Sequence, residues 1–232
     1  MQTTSSPTSA RPSTGPSAFA VAAWLALAGG IVALGFIGRA SDEATGASPF
    51  YRYDFAVSSI LVYGLLIGIT FGIALAYGRP VDALGLKPVR RRWVWVACGS
   101  IVLAFVIAAA LEPVLHGGRE QGLTPERWRP DRALAFAVNG VVAATIVPFA
   151  EELFFRGLGV RALRFLGAAA AVAVTALAFA FGHAVLAALP PLVVFGLALG
   201  WVRLRSDSVW PGVAAHGLYN GLGVVFTYAT LQ

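Results

Sequence analysis

Two adjacent carboxylates, Glu151 and Glu152, follow an apolar run from Ala133 to Phe149 that is long enough to lie in a bilayer. A charged side chain at the centre of a bilayer costs about 2.5–3.5 kcal/mol even on the mildest scales, so acids at this depth indicate function. On a helix, Arg156 lies one turn after Glu152 on the same face, and these two can pair. Glu151 is rotated onto a neighbouring face and is available for other chemistry.

Further polar side chains lie in the later apolar runs. His183 ends the sequence Phe-Ala-Phe-Gly-His, and His216 and Asn220 are spaced four residues apart on one helix face. A base that activates water and donors that hold an oxyanion would together support hydrolysis at membrane depth. Each group also has a structural interpretation: snorkelling of the glutamates at a helix end, packing of His183, and a helix–helix hydrogen bond from His216 and Asn220.

The composition predicts an all-α, polytopic transmembrane helical bundle. The chain has 232 residues, of which 58% are hydrophobic and 12% charged, and its mean hydropathy is +0.75. A soluble domain has about 25% charged residues. The net charge of +6 does not indicate nucleic acid, because the basic residues lie in short loops between apolar runs. Cys98 is the only cysteine, which excludes an intramolecular disulfide and a cysteine-based metal cluster.

About seven membrane segments are predicted, with residues 1–17 as a disordered tail, residues 18–132 as three N-terminal helices with loops, and residues 133–232 as a core that holds the polar groups. The expected spans are Ala18–Ile37, Phe55–Tyr77, Trp93–Leu115, Ala133–Phe155, Leu166–Leu189, Pro191–Val202 and Val209–Thr230. The sixth is short and is separated from the fifth by Pro190-Pro191, so a re-entrant or tilted segment is the alternative there. Pro148 should bend the fourth helix beside the carboxylates.

The basic residues predict the orientation in the membrane. With seven spans, eleven lysines and arginines lie on the side of the N-terminus and six on the other. The N-terminus and the Glu151 end of the fourth helix should therefore face the cytoplasm. If the chain turns on the cytoplasmic side near Arg161, Glu151 lies at a depth of about 15 Å along its helix from that turn. His183 lies at a depth of about 25 Å along the fifth apolar run. The two depths agree only if the fifth helix starts later.

The ordered set of motifs resembles a known family. Glu-Glu-x-x-x-Arg at Glu151, Glu152 and Arg156, then Phe-x-x-x-His ending at His183, then His-x-x-x-Asn at His216 and Asn220, is similar to the CAAX protease and bacteriocin-processing (CPBP/Abi) family of intramembrane proteases. That family includes the type II CAAX prenyl endopeptidases. The resemblance covers residues from Ala133 to the C-terminus, and the first three helices carry no matching motif.

The resemblance implies an intramembrane endopeptidase that cleaves a membrane-associated peptide or protein, of the CAAX type or the bacteriocin type. Glu151, helped by His183, would activate water, and His216 and Asn220 would hold the oxyanion. The metal dependence stays open, since Glu151, His183 and His216 have the side chains of a three-ligand catalytic zinc site. Partners are the peptide or protein substrate and the lipid bilayer, with no nucleic acid.

Other intramembrane chemistries fit the sequence less well. No His-Glu-x-x-His is present, Asp54 at a span edge has no second aspartate, and Ser100 has no Gly-x-Ser-Gly around it. The rivals from other classes are a non-catalytic membrane adaptor or immunity protein that keeps the fold, and a small transporter that uses the same acid as a proton site. An adaptor would have no need for two carboxylates and two imidazoles in the bilayer.

Overall fold

The computed structural model describes residues 17–42, 48–115, 125 and 127–231, and within them it contains helices and no strand. The all-α prediction is therefore confirmed. The predicted disordered tail lies outside the described residues except for Ser17, as does most of the loop before the fourth span.

Among the described residues, seven long helices correspond to the seven predicted segments, and two short helices lie between them. The long helices are α1 (Ala18–Asp42), α2 (Tyr53–Ala74), α4 (Arg91–Leu115), α5 (Ala133–Glu151), α7 (Ala168–Gly182), α8 (Leu189–Ser206) and α9 (Trp210–Thr230); the short ones are α3 (Pro80–Leu84) and α6 (Val160–Ala162). Within the described chain, five stretches are long and apolar enough to cross a membrane: Ala18–Ala40, Tyr53–Tyr77, Arg91–Leu111, Pro130–Leu166 and Leu186–Ser206. Helix α7, with 15 residues, is apolar but shorter, and α9 is not in that set.

The boundary predicted between the fifth and sixth segments is wrong. Helix α7 ends at Gly182, and α8 begins at Leu189 with the two prolines in its first turn. Proline suits the first turn of a helix because its N–H would have no intrahelical partner there. The break lies instead at Ala184, whose φ of 53° is left-handed. The sixth segment is thus an 18-residue helix and not the short segment that was expected.

The fourth segment is longer than predicted. The chain stays helical beyond Glu151, through a π-helix over Glu152–Gly159 and α6, as far as Leu166. The turn lies at Gly167, whose φ of 91° disfavours other residues, and not near Arg161. Glu151 and His183 are therefore each 16 residues from the turn. This arrangement removes the difference in depth that the sequence had suggested.

The π-helix is the buried centre of the bundle. Every residue from Glu151 to Val160 is buried. The Trp24 indole of α1 donates to the Phe154 carbonyl at 3.1 Å and packs so close to Gly159 that a Cβ there would lie 2.6 Å from the indole. On another side, a Cβ at Gly157 would lie 2.9 Å from the carbonyl oxygen of Leu84 in α3. The N-terminal helices thus hold the element that carries the carboxylates.

Helix α9 runs antiparallel to α5 at close range. Val224 packs on Gly140, where a Cβ would lie 2.8 Å from the valine methyl, and Gly217 packs on the carbonyl oxygen of Ala144, where a Cβ would lie 2.6 Å away. Pro148 has no N–H to offer that carbonyl four residues earlier. Glycine at position 217 therefore lets α9 approach the part of α5 that the proline leaves without its usual helical hydrogen bond.

The α8–α9 turn is fixed by Asp207, whose φ of 53° is left-handed. Arg203 Nη1 donates to Asp207 Oδ1 at 3.0 Å, and Lys87 donates to Oδ2. Ser208 Oγ donates to the Lys87 carbonyl at 2.7 Å, and the backbone N–H of Val209 donates to the Gly85 carbonyl at 2.9 Å. This turn therefore joins the α3–α4 connection to the start of α9.

The Asp207 carboxylate is expected to make stability depend on pH. Burial raises its pKa, but hydrogen bonds from Lys87 and Arg203 outweigh burial and hold the pKa below its usual 3.8. The contribution of a group with a lowered pKa is present above the unfolded pKa, about 3.9, and is lost as the pH falls through the folded pKa. Thermal unfolding of Asp207→Asn should therefore occur below the wild-type temperature at pH 6, and the difference should shrink as the pH falls below about 3.9. A difference that stays the same from pH 6 into this acidic range would contradict this account.

Candidate active site

Glu152 is the fully buried centre of the polar cluster. Its Oε1 lies 3.1 Å from Arg156 Nη1 and 3.2 Å from His216 Nδ1. The predicted pairing of Glu152 with Arg156 is therefore confirmed. The other carboxylate oxygen packs against α9, because a Cβ at Gly212 would lie 2.6 Å from Oε2. One acid thus contacts a guanidinium of its own helix and an imidazole of the last helix.

Arg156 is also fully buried. Its guanidinium carbon lies 4.2 Å from the centre of the Phe179 ring, a cation–π contact with α7. A Cβ at Gly196 of α8 would lie 3.3 Å from Nη2. The arginine therefore places its charge between Glu152 and the aromatic face of Phe179, and it depends on a small residue in α8 for space.

Glu151 faces away from the Glu152–Arg156 ion pair, as its rotation on the helix predicts. Its Oε1 accepts a hydrogen bond of 3.3 Å from the Tyr63 hydroxyl of α2, and its Oε2 lies 3.7 Å from His216 Nε2. Among the described residues, that Oε2 has no hydrogen-bond partner. Glu151 is 8% exposed, whereas Glu152 is completely enclosed. The carboxylate with the partly open position is thus the one without a guanidinium partner.

His216 connects the two acids. Its Nδ1 contacts Glu152 Oε1, its Nε2 faces Glu151 Oε2, and the ring is 2% exposed. A carboxylate paired with a guanidinium is ionised and can only accept, so His216 Nδ1–H is the donor in the contact with Glu152. In the neutral ring, Nε2 then carries the lone pair and faces Glu151. In the charged ring, both nitrogens donate.

Asn220 lies one helical turn beyond His216, and its Nδ2 donates to the Ala143 carbonyl at 2.8 Å. Ala143 is eight residues from Glu151 on α5, about 12 Å along the helix. The amide is therefore anchored on the same helix as Glu151, nearer to the N-terminal end of that helix. Its Nδ2 carries a second hydrogen for another acceptor.

His183 adjoins this cluster through Phe179. It is exposed, its Nδ1 lies 2.8 Å from the Phe179 carbonyl oxygen, and its ring centre is 4.6 Å from that of Phe179. The Phe179 ring also packs edge-on against His216, at 5.5 Å between centres. The two imidazoles therefore contact the same aromatic ring. His183 lies just after the end of α7 and is exposed, whereas His216 is buried.

The proposed three-ligand metal set does not assemble in the structure. No group of three histidine, cysteine, aspartate or glutamate side chains lies close enough to hold a metal ion in the described part of the chain. Glu151, His183 and His216 therefore do not fit a zinc site in this arrangement. The metal assignment stays a prediction.

Tyr63 is the site residue that the sequence patterns did not indicate. It lies inside the apolar run of α2, far along the chain from every motif, and tyrosine is ordinary in membrane helices. The only available signal was a hydroxyl at the middle of an apolar helix, which needs a partner when it is buried. Sequence spacing within a helix cannot identify a partner 88 residues away.

The fold and the site define a class: an all-helical membrane protein with a buried carboxylate–imidazole centre. Residues 133–222 match the family model described as type II CAAX prenyl endopeptidase Rce1-like, which confirms the resemblance of the motifs. The matched segment runs from the first residue of α5 into α9 and contains all seven motif residues from Glu151 to Asn220. No match was found among curated proteins or among solved structures. With its five candidate spans, the chain is an integral membrane protein whose C-terminal part resembles a protease family.

Proposed function

We propose that this protein is an intramembrane endopeptidase that hydrolyses a peptide bond of a membrane-associated CAAX-type or bacteriocin-type peptide or protein. The observation that carries the proposal is the buried contact of His216 with both glutamates, within the segment that matches the protease family. Peptide hydrolysis needs a base for water and donors for the oxyanion. The residues of this cluster have those chemical types.

Glu151 is the proposed base. Its Oε2 takes a proton from a water molecule as the water oxygen bonds to the scissile carbonyl carbon, and the carbonyl becomes an oxyanion. The same carboxyl then gives that proton to the leaving amine as the C–N bond breaks, so the base returns to its starting state. Glu152 cannot fill this role, because Arg156 and His216 occupy its Oε1 and Gly212 packs against its Oε2.

His216 and Asn220 are the proposed oxyanion donors. Because Nδ1–H of His216 is directed at Glu152, donation from Nε2 requires the imidazolium form of the ring. Asn220 donates through the Nδ2 hydrogen that is not used by Ala143. His183, on the open side of Phe179, is proposed to help position the attacking water with Glu151.

Cleavage by the purified full-length protein, reconstituted in liposomes, tests the proposal. The probes are a prenylated peptide ending in a CAAX sequence, the same peptide without the prenyl group, and a membrane-anchored bacteriocin leader peptide. Mass spectrometry of the products locates the broken bond. Cleavage of any of the three supports an endopeptidase and identifies its substrate type. Intact peptides throughout, together with binding of one of them, would instead indicate the non-catalytic adaptor.

Metal content is a separate measurement on the same preparation. Stoichiometric zinc that is lost from His183→Ala and His216→Ala would establish the predicted ligand set. Protein that cleaves at an undiminished rate after exhaustive chelation and contains no metal by elemental analysis would leave Glu151 as an unassisted base.

A further inference from the structure

We infer that Tyr63 is a positioning residue of this site: its hydroxyl holds one oxygen of Glu151, and thereby directs the other toward His216 and the attacking water. The inference rests on the proposed function, since it assigns a role within the same reaction. It extends the site to α2, which lies outside the residues that match the protease family.

The two carboxylate oxygens of Glu151 have different surroundings. Oε1 accepts from the Tyr63 hydroxyl at 3.3 Å, while Oε2 lies 3.7 Å from His216 Nε2 and makes no hydrogen bond to any described residue. A glutamate side chain has three rotatable bonds, and a second anchor fixes the plane of its carboxylate. A base held in the orientation for attack avoids an entropic cost at the moment of reaction. The hydrogen bond from Tyr63 occupies Oε1 of Glu151, so Oε2 is the oxygen left to take the proton from water.

The position of Tyr63 is set by the packing of α2 on α5. Asn139 of α5 donates to the carbonyls of Phe50 and Arg52, at 3.1 and 2.9 Å, just before α2 begins. Glu151 lies 12 residues after Asn139, and Tyr63 lies 11 residues after Arg52. At 1.5 Å per residue, both side chains are about 17 Å beyond the same fixed point. The two helices thus run parallel in register, and they bring the hydroxyl to the carboxylate.

The neighbours of Tyr63 on its own helix support a specific role for its hydroxyl. Leu61 and Val62 are exposed, as expected for residues that face lipid, whereas Tyr63 is half-buried and faces the bundle. A phenol among such residues needs a hydrogen-bond partner. The contact that the structure gives its hydroxyl is with the carboxylate proposed to act as the base.

The test is Tyr63→Phe, which removes only the hydroxyl. We expect kcat to fall by about tenfold, the order of one hydrogen bond to a charged group, with KM unchanged. Tyr53→Phe is the matched control, because Tyr53 lies on the same helix and is 48% exposed. It should keep the wild-type kcat. A wild-type kcat in Tyr63→Phe, or a change in KM alone, would overturn the inference.

Two further variants separate this inference from the proposed function. If Glu151→Gln keeps full activity, the proposed function itself is wrong. If Glu151→Gln is inactive while Tyr63→Phe matches the wild type, only the role of Tyr63 is wrong. In the double variant, Tyr63→Phe should cause no loss beyond that of Glu151→Gln, because the hydroxyl acts through that carboxylate. A further tenfold loss in the double variant would mean that Tyr63 acts independently of Glu151. That result would overturn the positioning role, even if Tyr63→Phe alone were less stable than the wild type.

Discussion

The Glu151→Gln variant is expected to lose turnover by a factor of about 10²–10⁴, the usual contribution of a general base, and to remain folded. Glutamine keeps the shape of the side chain, and its amide oxygen can still accept from Tyr63. It cannot take a proton from water. Initial rates of cleavage of the peptide that the wild type cleaves measure the loss of turnover. The unfolding temperatures of the variant and the wild type, both in one detergent, show whether the variant remains folded.

The control for this experiment is Asp131→Asn, which removes an exposed carboxylate at the other end of the same helical segment. It should leave both the rate and the unfolding temperature at their wild-type values. Full cleavage by Glu151→Gln would show that another group activates the water.

Replacing one member of the buried ion pair is expected to destabilise the fold as well as stop catalysis. Both Glu152→Gln and Arg156→Met leave a charge without its partner where Glu152 and Arg156 are fully buried. Breaking a buried pair in this way costs about 3–5 kcal/mol. Methionine keeps most of the length of the arginine, so the measured loss reports mainly on the charge. Unfolding by SDS in mixed micelles gives the free-energy difference for each variant.

The double variant Glu152→Gln/Arg156→Met distinguishes the ion pair from simple loss of packing. With both charges removed, the free energy of unfolding should recover much of the loss, so the two effects will not add. The surface pair of Arg129 and Asp131 is the comparison, because water and salt screen an exposed pair and it contributes little to stability. Additive losses in the buried pair would contradict the account of Glu152 and Arg156 as coupled charges.

The sequence predicted the helical bundle and the Glu152–Arg156 pair because both depend on local signals. Apolar runs of membrane length set the positions of the long helices, and a separation of four residues brings two side chains together within one helix. Their contact occurs in a π-helix, which the sequence did not indicate. The spacing survives because four residues remain close to one turn in either kind of helix.

The sequence-based prediction is wrong about where the chain turns, and it does not identify a contact between residues that lie far apart in the sequence. The basic Arg161 predicts a turn of the chain, but its guanidinium lies 5.0 Å from the centre of the Tyr77 ring and the helix continues past it. The break at Ala184 lies among apolar residues, so hydropathy could not reveal it. The Tyr63–Glu151 contact depends on how α2 and α5 pack, and no pattern within one helix encodes it. The orientation in the membrane stays a prediction.

The burial of every residue from 151 to 160 has a consequence for how this protein tolerates mutation. Gly157 and Gly159 have no room for a methyl group beside Leu84 and Trp24, and the leucines and phenylalanines of the same stretch are buried. A saturation mutagenesis screen scored by activity will therefore reject nearly every substitution along this stretch, whether or not the side chain takes part in the reaction. Only a paired screen for abundance in the membrane will separate Glu151, which can change without loss of protein, from neighbours whose replacement removes the protein altogether.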